Sequence, residues 1–290
     1  MENPSRRAFL GGKVPELSPW DQFLLQLHRK VQGTVHPLEA ESSQALLTVA
    51  VIADLHHARQ LCHAFGVKLY VLGMPYCADD LVNPVLWVDV SQLNQLLLVD
   101  KGKNQWFMQA GVTMAQLKAA GFSQLADLPD TLNVACWLAQ PQYHSYAPQQ
   151  VQKSGLVHAS LLMADGTVSS LGAFGTQNTK PLNTPTLRQL VPQLFQLSQS
   201  EAMQQLLRLP AWGAQYRLDA LVTEPVNLAY LLLGHGGHLG VLEWVVIQQS
   251  ELRVPPPLKS PPLSATQQIL AQELDAAVRA AFDPDALFSF

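Results

Sequence analysis

Residues 107–117 read FMQAGVTMAQL and join the end of a strand, a tight turn and the start of a helix. The preceding residues from 105 have the length and composition of a short strand. Thr113 is a residue type that caps helix N-termini, and Gly121 is a type that ends helices, so a helix is predicted over 114–120. The stretch therefore predicts a strand that leads directly into a short helix.

A second informative stretch, MADGTV, lies at 163–168. Its Asp165-Gly166 dipeptide favours a tight hairpin turn. Apolar runs at 156–163 and 167–171 flank the dipeptide and have strand length. This part of the chain is therefore predicted to form an antiparallel hairpin.

The rest of the chain alternates irregularly between helical and strand-like patterns. Apolar spacing predicts helices over 20–31, 54–65 and 265–282, with Asp54 as an N-cap and Gly66 as a C-cap, and over 187–209 with an interruption at Pro192. Short apolar runs predict strands, at 67–72, 85–90, 228–233 and 241–247. A purely parallel sheet would need a crossover helix after nearly every strand, so the fold class is predicted to be α+β.

Composition excludes several classes of function. Charged residues make up 14% of the 290-residue chain and the net charge is −4, so no basic surface for nucleic acid or anionic lipid is expected. The three cysteines, Cys62, Cys77 and Cys136, lie far apart, which argues against a disulfide framework or a zinc site. No apolar run reaches the ~18 residues of a membrane-spanning helix.

The N-terminus contains a possible targeting signal, because residues 5–10, SRRAFL, resemble the twin-arginine export motif. The residues that follow, GKVPELSP at 12–19, are too polar to supply the apolar stretch of roughly 7–15 residues that export requires. We therefore expect an uncleaved tail and a cytoplasmic protein, with membrane association through a partner as a further option. Periplasmic export is the less favoured alternative.

The order of several segments resembles a known family. These segments are FGVKLYVLG at 65–73, the stretches 107–117 and 154–168, GHGGHLG at 234–240, and FDPDALF at 282–288. In this order and spacing, the chain resembles the p-cresol methylhydroxylase-type (PCMH-type) FAD-binding domain of the vanillyl-alcohol oxidase family. It looks most like the FAD-binding subunit of bacterial glycolate oxidase.

The resemblance implies a domain organisation. It covers about 35–250 and the C-terminal tail, and implies an FAD-binding domain of two subdomains with small mixed sheets, flanking helices and an insertion at about 172–227. An N-terminal tail with a helix would occupy 1–34. A Pro-rich connector and a helix would occupy 251–290.

The resemblance also implies FAD extended between the two subdomains, and we expect it to be held without a covalent bond. Glycine allows the backbone to approach a pyrophosphate closely enough for N–H groups to neutralise it. The implied cofactor contacts are Gly73, Met74, Pro75, Tyr76, Cys77, Gly111, Asn133, Val134, Ala135, Gly155, Gly234, Gly237 and Gly240. Some family members attach FAD covalently in the two phosphate loops, so Cys77 and Cys136 are candidates for a bond, with small buried apolar residues as the alternative.

Both phosphate loops depart from the family pattern. The first, LGMPYC at 72–77, has one glycine, and its Pro75 removes a backbone donor. The second, NVACWLA at 133–139, has no glycine, whereas the third glycine-rich segment at 234–240 is intact. Because each lost phosphate contact costs roughly 1–3 kcal/mol, FAD binding is expected to be weak or absent unless new donors compensate.

Substrate and metal ligands are less well marked. Arg217 is the best candidate for a substrate carboxylate, because its planar fork matches a carboxylate. Tyr143 lies in a polar loop that could line a substrate site, although a solvated loop is the alternative. His235 and His238 are three residues apart but no third ligand is visible, so no metal site is predicted. No catalytic base is identified.

Two functions remain open from the sequence. The first is an FAD-binding oxidoreductase or electron-transfer subunit that oxidises a small hydroxy acid or alcohol together with a partner subunit. The alternative is a non-catalytic scaffold or assembly subunit that has lost or weakened FAD binding. The altered phosphate loops favour the alternative, and the intact glycine-rich segment favours the enzyme.

Overall fold

The strands form two separate small sheets in the computed structural model, which describes residues 17–38, 42–76, 84–174, 184–222, 224–250 and 262–288. The predicted α+β class, with two units each built on a small sheet and flanked by helices, is confirmed. The strands are β1 Thr34–Pro37, β2 Gln44–Thr48, β3 Lys68–Val71, β4 Val85–Asp89, β5 Leu96–Asp100, β6 Gln105–Gln109, β7 Leu156–Leu162, β8 Val168–Leu171 and β9 Val241–Gln248. The α-helices are α1 Pro19–Lys30, α2 Ile52–Phe65, α3 Met114–Ala119, α4 Val134–Ala139, α5 Pro185–Ser198, α6 Glu201–Leu207 and α7 Ala265–Phe282.

The first sheet has the order β1-β2-β4-β3. Strands β2 and β3 run parallel to β4, whereas β1 is antiparallel to β2. Helix α2 makes the crossover between β2 and β3, and Leu55, Ala58 and Leu61 on it are buried. Residues 85–88 of β4 are also buried, as expected for a central strand of a mainly parallel sheet.

The second sheet is antiparallel throughout, with the order β5-β6-β9-β7-β8. One row across it consists of Met108, Val245, Ala159 and Leu171, all buried, and forms part of the core. The predicted hairpin between β7 and β8 is confirmed, and Gly166 in its turn has φ +89°.

The stretch at 107–117 is built as predicted, with strand β6 leading into helix α3. Thr113 caps α3 by accepting a hydrogen bond from the Gln116 N–H. Gly111 lies so close to the end of β4 that an added Cβ would stand 2.0 Å from the Val90 carbonyl oxygen. This glycine is therefore required for close backbone packing between the two sheets.

A buried carboxylate also joins the second sheet to helix α2. Glu243 on β9 contacts His56 Nε2 on α2 at 2.6 Å and accepts a hydrogen bond from Ser160 Oγ on β7 at 2.8 Å. The Glu243 side chain is only 5% exposed. The two contacts therefore replace the hydrogen bonds to water that the carboxylate loses on burial.

Some predictions of local structure are wrong. Residues 228–233 are not a strand, because Leu228–Leu232 forms a 3₁₀ helix capped by Asn227, and a short apolar run does not distinguish the two. The predicted helix at 187–209 is two helices, and Pro192 lies inside the first of them. Asp54 is not an N-cap: it lies in the first turn of α2 and accepts four backbone hydrogen bonds, from residues 32, 33, 50 and 51.

Several predictions cannot be followed further. The twin-arginine-like residues, Cys77 and most of the Pro-rich connector lie outside the described residues. Within the described part of the chain, no helix has the length and apolar character needed to cross a membrane. The proposed domain boundaries remain a prediction.

We expect Glu243→Ala to lower the free energy of unfolding by about 2–4 kcal/mol, because it leaves a buried hydroxyl without an acceptor and opens a small void. Chemical denaturation measures the change. The control is Asp285→Ala, whose ion pair with His63 at 3.3 Å is 50–62% exposed and is worth no more than about 0.5 kcal/mol. Equal effects of the two substitutions would contradict the role assigned to Glu243.

Candidate functional site

Three segments that the resemblance assigns to the cofactor come together in the structure. They are residues 72–76 (the first loop), helix α4 with its cap Asn133 (the second loop), and residues 234–240 (the glycine-rich segment). Each contacts the others through hydrogen bonds or side-chain packing. The contacts determine what room is left between them.

The N–H groups at the start of α4 already have acceptors within the protein. Val134 N–H donates to the Val112 carbonyl at 2.9 Å, and Ala135 N–H donates to the Ala110 carbonyl at 2.9 Å. Cys136 N–H donates to Asn133 Oδ1 at 2.8 Å, which is the helix cap. The predicted cofactor contacts Asn133, Val134 and Ala135 therefore serve to fix α4 against the turn around Gly111.

The first loop packs directly on α4. Gly73 has φ +87°, and an added Cβ would lie 2.9 Å from Cys136 Sγ. The Cys136 thiol donates to the Leu72 carbonyl at 3.4 Å, and Gln140 Nε2 donates to the Gly73 carbonyl at 3.1 Å. Burial raises the pKa of Cys136 to about 11 and outweighs the lowering effect of the hydrogen bond with Asn133. The thiol is therefore protonated at neutral pH and is a poor nucleophile for covalent attachment.

The glycine-rich segment packs on the other end of α4. Gly234 N–H donates to the Leu138 carbonyl at 2.7 Å, and Gly236 N–H donates to the Ala139 carbonyl at 2.8 Å. Gly237 N–H donates to His235 Nδ1 at 3.2 Å. Gly234 and Gly236 thus approach protein carbonyls in the way that the resemblance expects them to approach a phosphate.

Met74 fills the space between the first loop and the glycine-rich segment. It is 8% exposed, and an added Cβ on Gly237 would lie 2.8 Å from its sulfur atom. Trp137 on α4 is fully buried in the same core, whereas Pro75 and Tyr76 point outward and are exposed. The cavity that remains beside Met74 and Gly237 measures about 10 Å³.

A dinucleotide does not fit between these segments as the structure describes them. A cavity of this volume holds at most about one water molecule, whereas ligand sites for organic molecules measure roughly 300–1,000 Å³. Five backbone donors that could neutralise a pyrophosphate, those of Val134, Ala135, Cys136, Gly234 and Gly236, are already bonded to carbonyl oxygens of the protein. FAD could enter only if the first loop moved away from α4.

One further predicted cofactor residue, Gly155, lies apart from the three segments. Gly155 precedes β7, and an added Cβ would lie 2.7 Å from the Gln248 carbonyl at the C-terminal end of β9. Gly240 precedes the other end of β9, so the strand separates the two glycines by roughly 25 Å. Gly155 is thus not brought to the candidate site, and its φ of +73° is explained by the turn into β7.

Arg217 lines a different cavity, of about 130 Å³, between the residues after α4 and those after α6. It is 3% exposed, and its Nε and Nη2 donate to the two oxygens of Asp219 at 2.9 and 2.7 Å. Its remaining N–H groups donate to the carbonyls of His144, Tyr146 and Ala147. All five N–H donors of Arg217 are therefore occupied. In this structure Arg217 has no free donor for the substrate carboxylate that it was predicted to bind.

Tyr143 lies at the end of a 3₁₀ helix, Pro141–Tyr143, and is not among the residues that line this cavity. Its neighbours His144 and Tyr146 do line the cavity, and both are buried. A substrate role for Tyr143 therefore stays a prediction. Asp219, the partner of the Arg217 guanidinium, was not singled out from the sequence. Its position two residues after Arg217 was the one signal that could have indicated an ion pair.

Three histidines around the glycine-rich segment are held in the neutral form. Burial is the main cause that lowers the pKa of His144 to about 4, of His235 to about 3 and of His238 to about 4. His238 Nδ1 accepts a hydrogen bond from the Tyr216 hydroxyl at 3.0 Å. No group of three potential metal ligands occurs among the described residues, which include His235 and His238.

Four buried polar atoms near this core have no hydrogen-bond partner in the described structure. They are Trp137 Nε1, His144 Nδ1, Tyr146 Oη and His235 Nε2. Because His144 Nε2 donates to the Trp137 carbonyl at 2.7 Å in its neutral form, His144 Nδ1 is an acceptor, whereas Trp137 Nε1 is a donor. The core thus keeps unused polar groups of both kinds.

Comparison with known proteins gives similarity in structure only. No family model matches the chain, and no curated protein matches it. Similar solved structures include alkyldihydroxyacetonephosphate synthase in two crystal forms, each 14% identical, with TM-scores of 0.41 and 0.40. A Physcomitrella patens BBE-like 1 variant is also similar, with 12% identity and a TM-score of 0.48.

The matches cover most of this chain but less than half of the other proteins. They span 70% of this chain and 31% and 32% of the two synthase chains, and 78% of this chain and 44% of the BBE-like 1 chain. Activity, substrate and partners are therefore matters for proposal. The resemblance to the glycolate oxidase subunit stays a prediction from the sequence.

We expect the protein to lose stability as the pH falls from 7 to 5. The unfolded chain takes up protons on His144, His235 and His238 near pH 6.5, whereas the folded chain does not do so until pH 3–4. The stability that these neutral histidines contribute is fully present above pH 6.5. By pH 5, protonation of each histidine in the unfolded chain lowers the free energy of unfolding by about 2 kcal/mol.

Denaturation curves at the two pH values measure this loss. His235→Asn, which keeps an acceptor for the Gly237 N–H, should remove about 2 kcal/mol of it. The control is His28→Asn at an exposed position on α1, which should leave the loss unchanged. A pH dependence that is the same in all three proteins would contradict the burial of a neutral His235.

Proposed function

We propose that this chain is a non-catalytic scaffold or assembly subunit that retains the two-sheet frame of a PCMH-type FAD-binding domain. Its own loops occupy the space that the family resemblance assigns to the cofactor. The residues that would serve a flavin, from Gly73 to Gly237, instead hold the first loop, α4 and the glycine-rich segment together. The proposal follows the second of the two functions that the sequence left open.

One observation carries the proposal: the amide donors of the second loop and the glycine-rich segment are bonded to protein acceptors. In α4 these are the N–H groups of Val134, Ala135 and Cys136. In the glycine-rich segment they include the N–H groups of Gly234 and Gly236. To bind a pyrophosphate the protein would have to break several of these bonds, at a cost of roughly 1 kcal/mol each, and displace Met74 as well.

The alternative is an FAD-linked oxidoreductase or electron-transfer subunit that oxidises a small hydroxy acid or alcohol. The four unpartnered atoms around Trp137 and His144 favour it, because buried polar groups are usually paired with protein, water or a ligand. This alternative requires the first loop to open, and it names no catalytic base. A partner subunit would supply the missing part of a substrate site.

The partner of such a scaffold is a second protein subunit. A scaffold that keeps this frame would bind another subunit of a flavin dehydrogenase complex, which carries the cofactor and the chemistry. The sequence predicts neither a nucleic-acid partner nor a transmembrane segment. A cytoplasmic location, with membrane association through the partner subunit, remains the expectation.

We expect the purified protein to show no flavin absorbance band and to gain no thermal stability when FAD is added. A ligand raises the melting temperature only if it binds the folded state, so saturating FAD should leave the midpoint unchanged. Absorbance spectroscopy and thermal denaturation with and without FAD measure both. A yellow protein with near-stoichiometric FAD would contradict the proposal and support the oxidoreductase.

We also expect Met74→Ala to destabilise the protein by about 2–4 kcal/mol, because Met74 fills the core between the first loop and Gly237. The matched control is Tyr76→Ala in the same loop, where the side chain is 55% exposed. That substitution should cost less than about 1 kcal/mol. If Met74→Ala is neutral, or if it confers tight FAD binding with no loss of stability, the closed arrangement is not the native one.

A further inference from the structure

Residues 283–288, DPDALF, follow α7 and form a tight turn that we call the strap. The two carboxylate oxygens of Asp283 accept hydrogen bonds from the N–H groups of Leu287 and Phe288, each at 2.8 Å. The Asp283 N–H donates to the Arg279 carbonyl at 2.8 Å, which joins the strap to the end of α7. Hydrogen bonds to a charged group are stronger than neutral ones, so Asp283 fixes the backbone of the last two strap residues.

The strap lies along the outer edge of β3. In the first sheet β3 is an edge strand, with β4 on its inner side. The Leu69 N–H on β3 donates to the Leu287 carbonyl at 3.1 Å, and the Lys68 ammonium donates to the Ala286 carbonyl. Because β3 ends at Val71, where the first loop begins, the strap is bonded to the strand that leads into this loop.

Phe288 places the strap against the first loop itself. Its side chain is 1% exposed and borders the same cavity of about 10 Å³ as Met74 of the first loop and Gly237 of the glycine-rich segment. The cavity is also bordered by Val71 at the end of β3 and by Val241 at the start of β9. Phe288 therefore fills most of the room beside Met74, at the place where the two sheets meet.

We propose that the strap is an autoinhibitory contact that holds the first loop closed over the space assigned to the cofactor. It acts on the loop in two ways, by pairing with the strand that enters it and by packing beside its Met74 side chain. Segments that share contacts of this kind open together as one cooperative unit. The first loop thus leaves α4 only when the strap leaves β3.

This inference rests on the proposed function in one respect, because the closed first loop is what fills the cofactor space. It adds the element that controls the closure. An ordinary cover on a sheet edge, which only prevents the edge from pairing with other strands, is the competing explanation of the strap. Such a cover would protect β3 and would leave the opening of the first loop unaffected.

Residue-resolved hydrogen exchange of the full chain distinguishes the two explanations. The Leu69 N–H reports on the strap, and the Met74 N–H, which donates to the Val71 carbonyl at 3.2 Å, reports on the first loop. We expect Phe288→Ala to accelerate the exchange of both amides by about tenfold or more, because the variant removes the packing that closes the loop.

The matched control is Phe122→Ala. Phe122 is also 1% exposed, but it packs against Trp106 on β6, with the ring centroids 5.8 Å apart. Its truncation lowers the global stability in the same way as that of Phe288, since both leave a cavity in the core. It should accelerate the local exchange of the Leu69 and Met74 amides less than about twofold. Chemical denaturation confirms that each variant is folded and measures its global stability.

Asp283→Ala tests the strap without removing Phe288. It deletes the acceptor of the Leu287 and Phe288 N–H groups, so the turn loosens while the aromatic ring is retained. We expect the exchange of the Leu69 and Met74 amides to accelerate together, again by about tenfold. Acceleration at Leu69 alone would show an edge cover and would overturn the proposal.

Two other results would overturn it. One is an unchanged Met74 amide in Phe288→Ala, and the other is equal acceleration of this amide by Phe122→Ala. These measurements contain no FAD, so their outcome is separate from that of the proposed function. A wild-type protein that binds FAD would contradict the proposed function, whatever the strap variants show.

Discussion

A backbone N–H that donates to a protein carbonyl is not available to neutralise a phosphate, and this competition governs the centre of the molecule. In the second loop, the N–H groups of Val134 and Ala135 are bonded to the residues on either side of Gly111. Without glycine in this loop, the chain continues as a helix whose side chains, including Trp137, enter the core. The first loop then packs on that helix, and the glycine-rich segment packs on its other end. The glycines that survive keep their close approach, but to carbonyl groups of the protein.

The polar groups of the surrounding core follow the same logic. Arg217 is almost fully buried, and Asp219 and three carbonyl groups use all of its donors. Glu243 is buried between the two sheets and is shared by His56 and Ser160. Groups of this kind are costly to bury alone and become tolerable only when fully bonded. Arg217 therefore fixes residues 144–147 against Asp219, and Glu243 fixes helix α2 against strands β7 and β9.

Local signals in the sequence predicted the fold well. Gly66, Thr113 and the Asp165-Gly166 turn act over a few residues, so their roles could be inferred without knowing the tertiary structure. The strand predicted at 228–233 was wrong because a short, continuously apolar run has no periodicity that distinguishes a buried strand from a buried helical turn. The prediction that Asp54 caps the helix was wrong because the helix already begins at Ile52. The Asp54 carboxylate instead accepts hydrogen bonds from the N–H groups of residues 32 and 33, which are distant in sequence.

The sequence indicated which segments form the candidate site, but not how they pack against one another. The sequence placed Gly73, Asn133 and Gly234 in one region, and the structure brings their segments together. It gave no sign that Met74 would fill the space between them, because that depends on how closely the first loop approaches Gly237. Arg217 was singled out by its chemistry, but its availability depended on contacts with residues 144–147, about 70 positions earlier in the chain.

In the structure, the amides of Val134, Ala135, Gly234 and Gly236 are bonded to acceptors within the protein. Residue-resolved hydrogen exchange of Val134, Ala135, Gly234 and Gly236, with and without FAD, tests this claim most directly. We expect strong protection of all four amides in the protein alone and no change on addition of FAD. Fast exchange in the protein alone that becomes protected when FAD is added would contradict it.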